Sequence, residues 1–157
     1  MKKLMLASIA LAQMAAPAAM AAMTARQVVE KEIVVRAANG SETVRREAAD
    51  KVTPGETVIY SIRYKNDAAQ SASDIVLVMP VPKEVSYVEG SVSGEAAGVA
   101  FSADGGKTYV ARGRLTVEEG GEQRPARGDE ITHIRWTLSQ PVPAQGEGEV
   151  SYKAILR

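Results

Sequence analysis

One short segment groups residue types that could bind a cation or fix a backbone turn. It reads Ser102-x-Asp104-x-Gly106-x-Thr108-Tyr109, with Gly105 after the acid. The Asp104 carboxylate can accept backbone N–H bonds and the glycines can adopt positive φ, so the spacing predicts a tight hairpin turn. Calcium would need about six to eight oxygen ligands, and Asp104 with Ser102 supplies few of them. The segment therefore favours a structural turn over a cation site.

His133 is the only histidine, and the chain has no cysteine. A catalytic histidine needs a partnered nucleophile or acid, and a zinc-binding one needs further ligands. The counts exclude Cys/His catalysis and cysteine-based metal sites, and no Gly-x-Ser-x-Gly elbow marks a nucleophilic serine. An enzyme would gain support if two or more of Asp104, Asp129, Glu130 and His133 converged in one cleft. We predict no catalytic, cofactor-binding or metal-binding residues, and an exposed strand position for His133.

A run of carboxylates follows further along the chain and could attract cations. It comprises Glu118, Glu119 and Glu122 around a Gly-Gly pair, and four nearby arginines roughly cancel its charge: Arg112, Arg114, Arg124 and Arg127. A solvated loop explains this composition with fewer assumptions than an ion site. We predict that residues 118–130 form a loop and the least ordered part of the mature chain.

The elements that would position these residues are strands, and residues 57–65 give the clearest pattern. One face of this segment is apolar, and the other is polar except for Ile59; the apolar face carries Val58, Tyr60, Ile62 and Tyr64. Side chains alternate across a strand with period two. The pattern predicts a half-buried strand of an antiparallel sheet, entered through a Pro54-Gly55 turn.

Residues 33–48 predict a hairpin. Residues 33–35 are β-branched, and Asn39-Gly40 suits a turn that needs positive φ. Residues 43–48 are polar and are predicted to return at a sheet edge, where charge discourages pairing with another chain. Just before this hairpin, residues 27–31 could form a helical turn.

Short strand-like runs separated by Gly and Pro continue to the end of the chain. The further predicted strands are residues 74–79, 85–88, 99–102, 108–110, 115–117, 131–138 and 150–156. Their spacing is typical of sandwiches and barrels, and no helical period persists after the first residues. The fold class predicted is therefore all-β, an antiparallel β-sandwich.

Trp136 is the strongest candidate for a core anchor between two sheets. In residues 131–138 it shares a face with Ile134 and Leu138, while His133 and Arg135 lie on the other. The alternative is an aromatic platform for a sugar ring or a proline-rich peptide. That alternative would need exposed aromatic side chains, such as Tyr87, Tyr109 or Tyr152.

Residues 1–21 have the features of a secretory signal peptide, which would be helical. Lys2 and Lys3 begin it, residues 4–11 are apolar, and Ala19-Met20-Ala21 fits a cleavage site before Ala22. The apolar core is too short to span about 30 Å of hydrocarbon, which disfavours an uncleaved anchor. We predict one β-sandwich domain over residues 22–157, with no membrane span after cleavage.

Charge and cysteine content narrow the compartment and the partners. The chain has 19 basic and 19 acidic side chains, so loss of Lys2 and Lys3 leaves a slight acidic excess. This near balance argues against nucleic-acid binding, which needs a basic surface. The absence of cysteine from an exported chain fits a bacterial periplasm or cell surface better than a disulfide-stapled secreted protein.

Several segments, in order, resemble the conserved-repeat family called domain of unknown function eleven. They are Thr53-Pro54-Gly55-Glu56-Thr57-Val58-x-Tyr60-x-Ile62, residues 72–78, Pro80-Val81-Pro82 and residues 85–91. The resemblance covers residues 52–157. It is greatest to small exported bacterial members, which also have segments similar to residues 104–109 and 132–136 of this chain. Met79 departs from the acid that many members have there. The resemblance implies an immunoglobulin-like β-sandwich of the cell envelope and assigns no functional residues.

Together these features predict a non-enzymatic exported module with a structural or protein-interaction role. Its expected partners are envelope proteins of unknown identity, reached by strand addition at an exposed sheet edge. No cofactor is predicted, and the oligomeric state is left open. The alternative function is a carbohydrate- or cell-wall-binding domain, which would present a concave patch with exposed aromatics.

Overall fold

A computed structural model describes residues 23–157, so the predicted signal peptide at residues 1–21 lies outside the described residues. The described chain contains ten strands and two short 3-10 helices, Arg112–Arg114 and Gly128–Glu130. The strands are β1 (Met23–Arg36), β2 (Glu42–Ala48), β3 (Thr57–Asn66), β4 (Val76–Pro80), β5 (Val85–Tyr87), β6 (Ala96–Ser102), β7 (Thr116–Glu119), β8 (Glu122–Pro125), β9 (His133–Leu138) and β10 (Glu147–Leu156). The all-β prediction is confirmed for these residues.

The strands form antiparallel ladders in two main sheets. The larger sheet has the order β2-β1-β3-β10-β5, the smaller has the order β4-β9-β6, and β7 and β8 pair as a separate hairpin. One apolar core contains side chains from both main sheets, including Ile62 and Val150 from the larger and Met79 and Ile134 from the smaller. This arrangement is consistent with a β-sandwich.

Trp136 lies in this core, as the sequence predicted. Its side chain is fully buried, and its ring stacks on Tyr152 with centroids 6.5 Å apart. Tyr152 stacks in turn on Tyr60, with centroids 5.2 Å apart. Because Trp136 belongs to β9 and Tyr152 to β10, aromatic packing joins the two sheets.

Strand β3 is buried on both faces, so the prediction of a half-buried strand is wrong. Ile59 and Ser61, on the face opposite the apolar one, are 1% and 0% exposed. The cause is a tertiary contact, since the guanidinium of Arg46 on β2 lies 2.8 Å from the carboxylate of Glu149 on β10. In a flat sheet these strands would be about 14 Å apart, and the two residues would also be offset by six positions along β1, from Glu32 to Arg26, or about 20 Å. Two side chains cannot span both distances. The β1–β2 ribbon must therefore curl over the polar face of the sheet.

The N-terminal hairpin is confirmed, but the helical turn suggested for residues 27–31 is wrong. These residues are extended within β1, where Gln27 pairs with Ile62 and Lys31 pairs with Val58. Strand β2 returns from the turn as the outermost strand, and all its residues are exposed. The ladder to β3 outweighs a weak local preference for helix.

Residues 118–130 mostly form regular structure, so the prediction of a loop there is wrong. They contain most of the β7–β8 hairpin, whose turn uses Gly120 and Gly121 at φ 64° and 88°. Arg124 lies 2.5 Å from the Glu119 carboxylate and 2.7 Å from that of Glu130. The opposite charges that suggested mutual cancellation in solvent instead pair directly and fix the segment.

Candidate functional site

The Asp104 carboxylate closes the turn that the sequence singled out. Its Oδ1 accepts hydrogen bonds from the backbone N–H groups of Lys107 and Thr108, both at 3.0 Å, and from the Ser102 hydroxyl at 2.7 Å. Its Oδ2 accepts from the Thr108 hydroxyl at 2.6 Å. These bonds, those from Thr108 foremost, hold the pKa of Asp104 well below its usual range.

The rest of the turn is built around the same hydrogen bonds. Gly105 and Gly106 have φ of 79° and 84°, a region that favours glycine. The Gly106 N–H donates to Oγ of the fully buried Ser102 at 2.9 Å. Both carboxylate oxygens of Asp104 are therefore engaged within the turn, Oδ1 by backbone N–H groups and Oδ2 by the Thr108 hydroxyl. Among the described residues, no group of three His, Asp or Glu side chains is placed to hold a metal ion.

His133 lies beside this turn and is only partly exposed, so the prediction of an exposed histidine is wrong. In the smaller sheet it pairs with Pro80 on one side and Ser102 on the other. Its ring packs so close to Gly106 that a Cβ there would lie 3.4 Å from it. Its buried Nδ1 has no hydrogen-bond partner among the described residues. The imidazole ring of His133 thus packs against the turn.

Asp129 and Glu130 are bound to arginines and not to His133. Glu130 accepts hydrogen bonds from Arg124 at 2.7 and 2.8 Å, and from Arg127 through both its side chain and its backbone N–H. These bonds, led by that from Arg124, lower the pKa of Glu130 to about 2. Asp129 pairs with Arg127 at 3.4 Å and with Arg157 at 3.3 Å. Glu130 therefore links the 3-10 helix to β8 through Arg124, and Asp129 links it to the C-terminus through Arg157.

The aromatic side chains considered for sugar binding are mostly inside the protein. Tyr87 and Tyr152 are buried, and burial raises the pKa of both hydroxyls. Tyr109 is partly exposed, but the Arg135 guanidinium lies 4.4 Å from its ring centroid. No platform of three exposed tyrosines therefore exists in the described chain.

A cleft of about 650 Å³ lies where β1, β3 and β10 meet near Met23. Its lining includes Arg26, Arg63, Lys65, Glu147 and Glu149. Most of these charges are internally paired: Arg63 contacts Glu149 at 2.7 Å and Glu30 at 3.0 Å, and Lys65 contacts Asp67 at 3.2 Å. None of Asp104, Asp129, Glu130 and His133, the residues that an enzyme was expected to bring together, lines this cleft. Its charges stabilise the sheet face and bring no acid–base pair together.

Strand β4 forms an edge of the smaller sheet. Its hydrogen bonds to β9 show in which direction each of its N–H and C=O groups points. The Leu138 N–H donates to the Ile75 carbonyl at 3.0 Å, and the Val81 N–H donates to the Thr132 carbonyl at 2.8 Å. Bonding alternates along antiparallel strands, so odd-numbered residues here bond to β9. The N–H and C=O groups of Val76 and Val78 therefore point to the free edge.

The side chains of Val76 and Val78 are exposed as well, by 51% and 44%. Leu77 and Met79 alternate with them and enter the core. Pro80 has no N–H to offer at the edge, and its carbonyl accepts a hydrogen bond from the Tyr152 hydroxyl at 3.1 Å. Free backbone groups and exposed apolar side chains thus coincide at two residues of β4.

Strand β2, an edge of the larger sheet, is protected in a way that β4 is not. Along β2, charged side chains stand at Glu42, Arg45, Arg46 and Glu47, whereas residues 75–82 carry no charge at all. Charged edges resist pairing with other strands, and neutral, β-branched edges invite it. The sequence predicted a strand at residues 74–79 but not its edge position. The sequence feature that could have indicated an exposed edge is the alternation that places Val76 and Val78 on one face and Leu77 and Met79 on the other.

No family model matches this chain, and neither a curated protein nor a solved structure is similar to it at a significant level. No helix within residues 23–157 is long and apolar enough to cross a membrane. The exposed edge of β4 is the best-defined candidate surface in the described chain.

Proposed function

We propose that this chain is a non-enzymatic module of the bacterial cell envelope that binds another protein through the free edge of β4. The observation that carries this proposal is the coincidence of unpaired backbone groups and exposed side chains at Val76 and Val78. An incoming extended segment would satisfy the backbone groups and cover the two valines. This is the recognition mode of strand addition.

The non-enzymatic part of the proposal is supported by how the acids are used. Asp104 holds a turn, and Asp129 and Glu130 hold arginines, so each carboxylate has a structural partner. A general base needs access to a substrate proton. Carboxylates engaged in this way are poorly suited to that role.

Export to the envelope is proposed from the sequence of residues 1–21 and from the resemblance to domain of unknown function eleven, which also supports an immunoglobulin-like fold. The proposal predicts a mature protein that begins at Ala22 and is recovered from the envelope or periplasmic fraction. Mass measurement of the protein purified from its own host would test it. A full-length protein confined to the cytoplasm would contradict export.

Site-specific photo-crosslinking in living cells would test the binding role. A photoreactive amino acid at position 78 should give a protein adduct of defined mass, because this side chain borders the proposed partner strand. The matched control is position 34, a valine that is 63% exposed on β1. Adducts that are absent from both positions, or equal at both, would contradict binding at the β4 edge.

Sugar or cell-wall binding has less support than protein binding. Tyr87 and Tyr152 would have to be exposed to stack on a sugar ring, and both are in the core. Sedimentation of the protein with purified cell wall would test this alternative. A protein that stays in the supernatant would exclude it.

A further inference from the structure

We infer that the partner strand at the β4 edge is β4 of a second copy of this chain. The two strands would run antiparallel about a two-fold axis near Leu77. The two three-stranded sheets would then join into one continuous sheet of six strands. This inference rests on the proposed binding role and names the occupant of the edge.

The hydrogen-bonding groups of the edge are self-complementary in one register. With Val76 opposite Val78 of the second copy, each N–H at these positions meets a carbonyl, and each carbonyl meets an N–H. Pro80 lies just outside this pairing, where its missing N–H costs no central bond. Its carbonyl is already bonded to Tyr152, which leaves Val76 and Val78 as the free groups of β4.

The side chains fit the same arrangement. Val76 and Val78 of both copies would lie on the outer face as two cross-strand pairs of β-branched residues, a favourable combination in sheets. The sides of these valines that face the edge would be covered by those of the other copy. Leu77 would remain in the core of its own copy.

Charge favours an antiparallel second copy over a parallel one. Asp74 and Lys83, the first charged residues before and after β4, are both exposed and make no ion pair with any described residue. A parallel arrangement would bring the two Asp74 carboxylates together and likewise the two Lys83 ammonium groups. An antiparallel arrangement places Asp74 beside the uncharged Pro80 of the second copy.

Two other outer strands, β2 and β6, fit the edge of β4 less well. Strand β2 would bring Arg45 and Glu47 onto an uncharged edge. The outer edge of β6 is already bonded at Phe101, which exchanges two hydrogen bonds with Val110. Pairing of β4 with β6 would also be heterologous and open-ended, whereas pairing of β4 with itself closes after two copies.

Sedimentation velocity of the purified protein over a concentration series tests the inference. Edge pairing of two short strands makes a small interface, so a reversible dimer that dissociates on dilution is expected. Val78→Lys should remain monomeric at every concentration, and Val34→Lys should dimerise like the unmodified protein. Circular dichroism should show both variants folded, since both side chains are exposed.

Cysteine cross-linking tests the register, because the chain has no cysteine of its own. A mixture of Val76→Cys and Val78→Cys should form a mixed disulfide several-fold faster than either variant forms a disulfide with itself. Val34→Cys is the control for random collision. Equal rates for all combinations would overturn the proposed register.

A protein that stays monomeric throughout, a Val78→Lys variant that still dimerises, or growth beyond a dimer would overturn the inference. These results are distinguishable from failure of the proposed function. A monomeric protein that still gives an adduct to a different envelope protein from position 78 would keep the binding role and exclude the second copy as its partner.

Discussion

The Tyr152 hydroxyl donates a hydrogen bond of 3.1 Å to the Pro80 carbonyl, and this bond ties β10 of the larger sheet to the edge strand β4 of the smaller. Burial raises the pKa of Tyr152, so its hydroxyl stays protonated and remains a donor at physiological pH. The bond fixes the C-terminal end of β4, next to the residues that we propose to bind a partner strand.

Tyr152→Phe should lower the free energy of unfolding by about 1 kcal/mol, the usual net value of one hydrogen bond. The substitution keeps the ring stacked on Trp136 and removes only the hydroxyl. Urea denaturation measures the change. The control is Tyr60→Phe, because the Tyr60 hydroxyl makes no hydrogen bond with a described residue. Equal losses in the two variants would contradict a specific role for the Pro80 bond.

Trp136→Ala should destabilise the protein by about 3–5 kcal/mol, the range for loss of a large buried aromatic side chain. Trp136→Phe should cost less, because it keeps an aromatic ring against Tyr152. Thermal melting followed by circular dichroism measures both. Val34→Ala, at an exposed position, should change stability by no more than about 0.5 kcal/mol. A melting curve unchanged by Trp136→Ala would show that the indole does not support the core.

Asn66→Asp should destabilise the protein by about 3 kcal/mol, the order of the cost of an unsatisfied buried polar or charged group. The Asn66 amide is fully buried and donates to the carbonyls of Gln70, Val142 and Pro143 at 2.7, 3.0 and 3.2 Å. Aspartate would place a buried acceptor against all three carbonyls and leave that of Gln70 without a donor, whereas backbone N–H groups would still donate to those of Val142 and Pro143. Chemical denaturation near neutral pH measures the loss.

The matched control for Asn66 is Asn39→Asp. The Asn39 side chain is exposed and uses only its oxygen, which accepts from the backbone N–H and hydroxyl of Ser41. A carboxylate preserves these bonds, so a change within about 0.5 kcal/mol is expected. An Asn66→Asp variant as stable as this control would contradict the role assigned to the buried amide.

Glu130 should contribute to the loss of stability in acid. Its pKa is lowered in the folded protein to about 2 from an ordinary value of 4.5, mainly by the hydrogen bond from Arg124. A carboxyl with a lowered pKa stabilises the fold above its ordinary pKa, and this contribution is lost as the pH falls towards the folded value. Denaturation midpoints measured from neutral pH down to about pH 2 should therefore decline less steeply in Glu130→Gln.

The control for Glu130 is Glu122→Gln on the same hairpin, because Glu122 is exposed and makes no ion pair with a described residue. This variant should follow the pH dependence of the unmodified protein. A Glu130→Gln variant whose stability falls with acid as steeply as that control would show that the Arg124 pair does not couple to stability.

Local sequence patterns predicted several elements because they depend on near neighbours. The Asn39-Gly40 turn, the hairpin arm at β2 and the Asp104 turn follow from residues a few positions apart. The apolar face that contains Trp136 follows from the period of two along β9. Trp136 is buried because this apolar face packs into the core.

The sequence by itself determined the strand-rich character, the turns and the apolar faces, since these depend on backbone preference and side-chain alternation. Tertiary structure decided that Ser61 is buried, that Glu130 is bound by Arg124, and that Val76 and Val78 line a free edge. Each of these depends on which strands become neighbours. That choice is made by contacts between residues far apart in the chain, so no local window of sequence contains it.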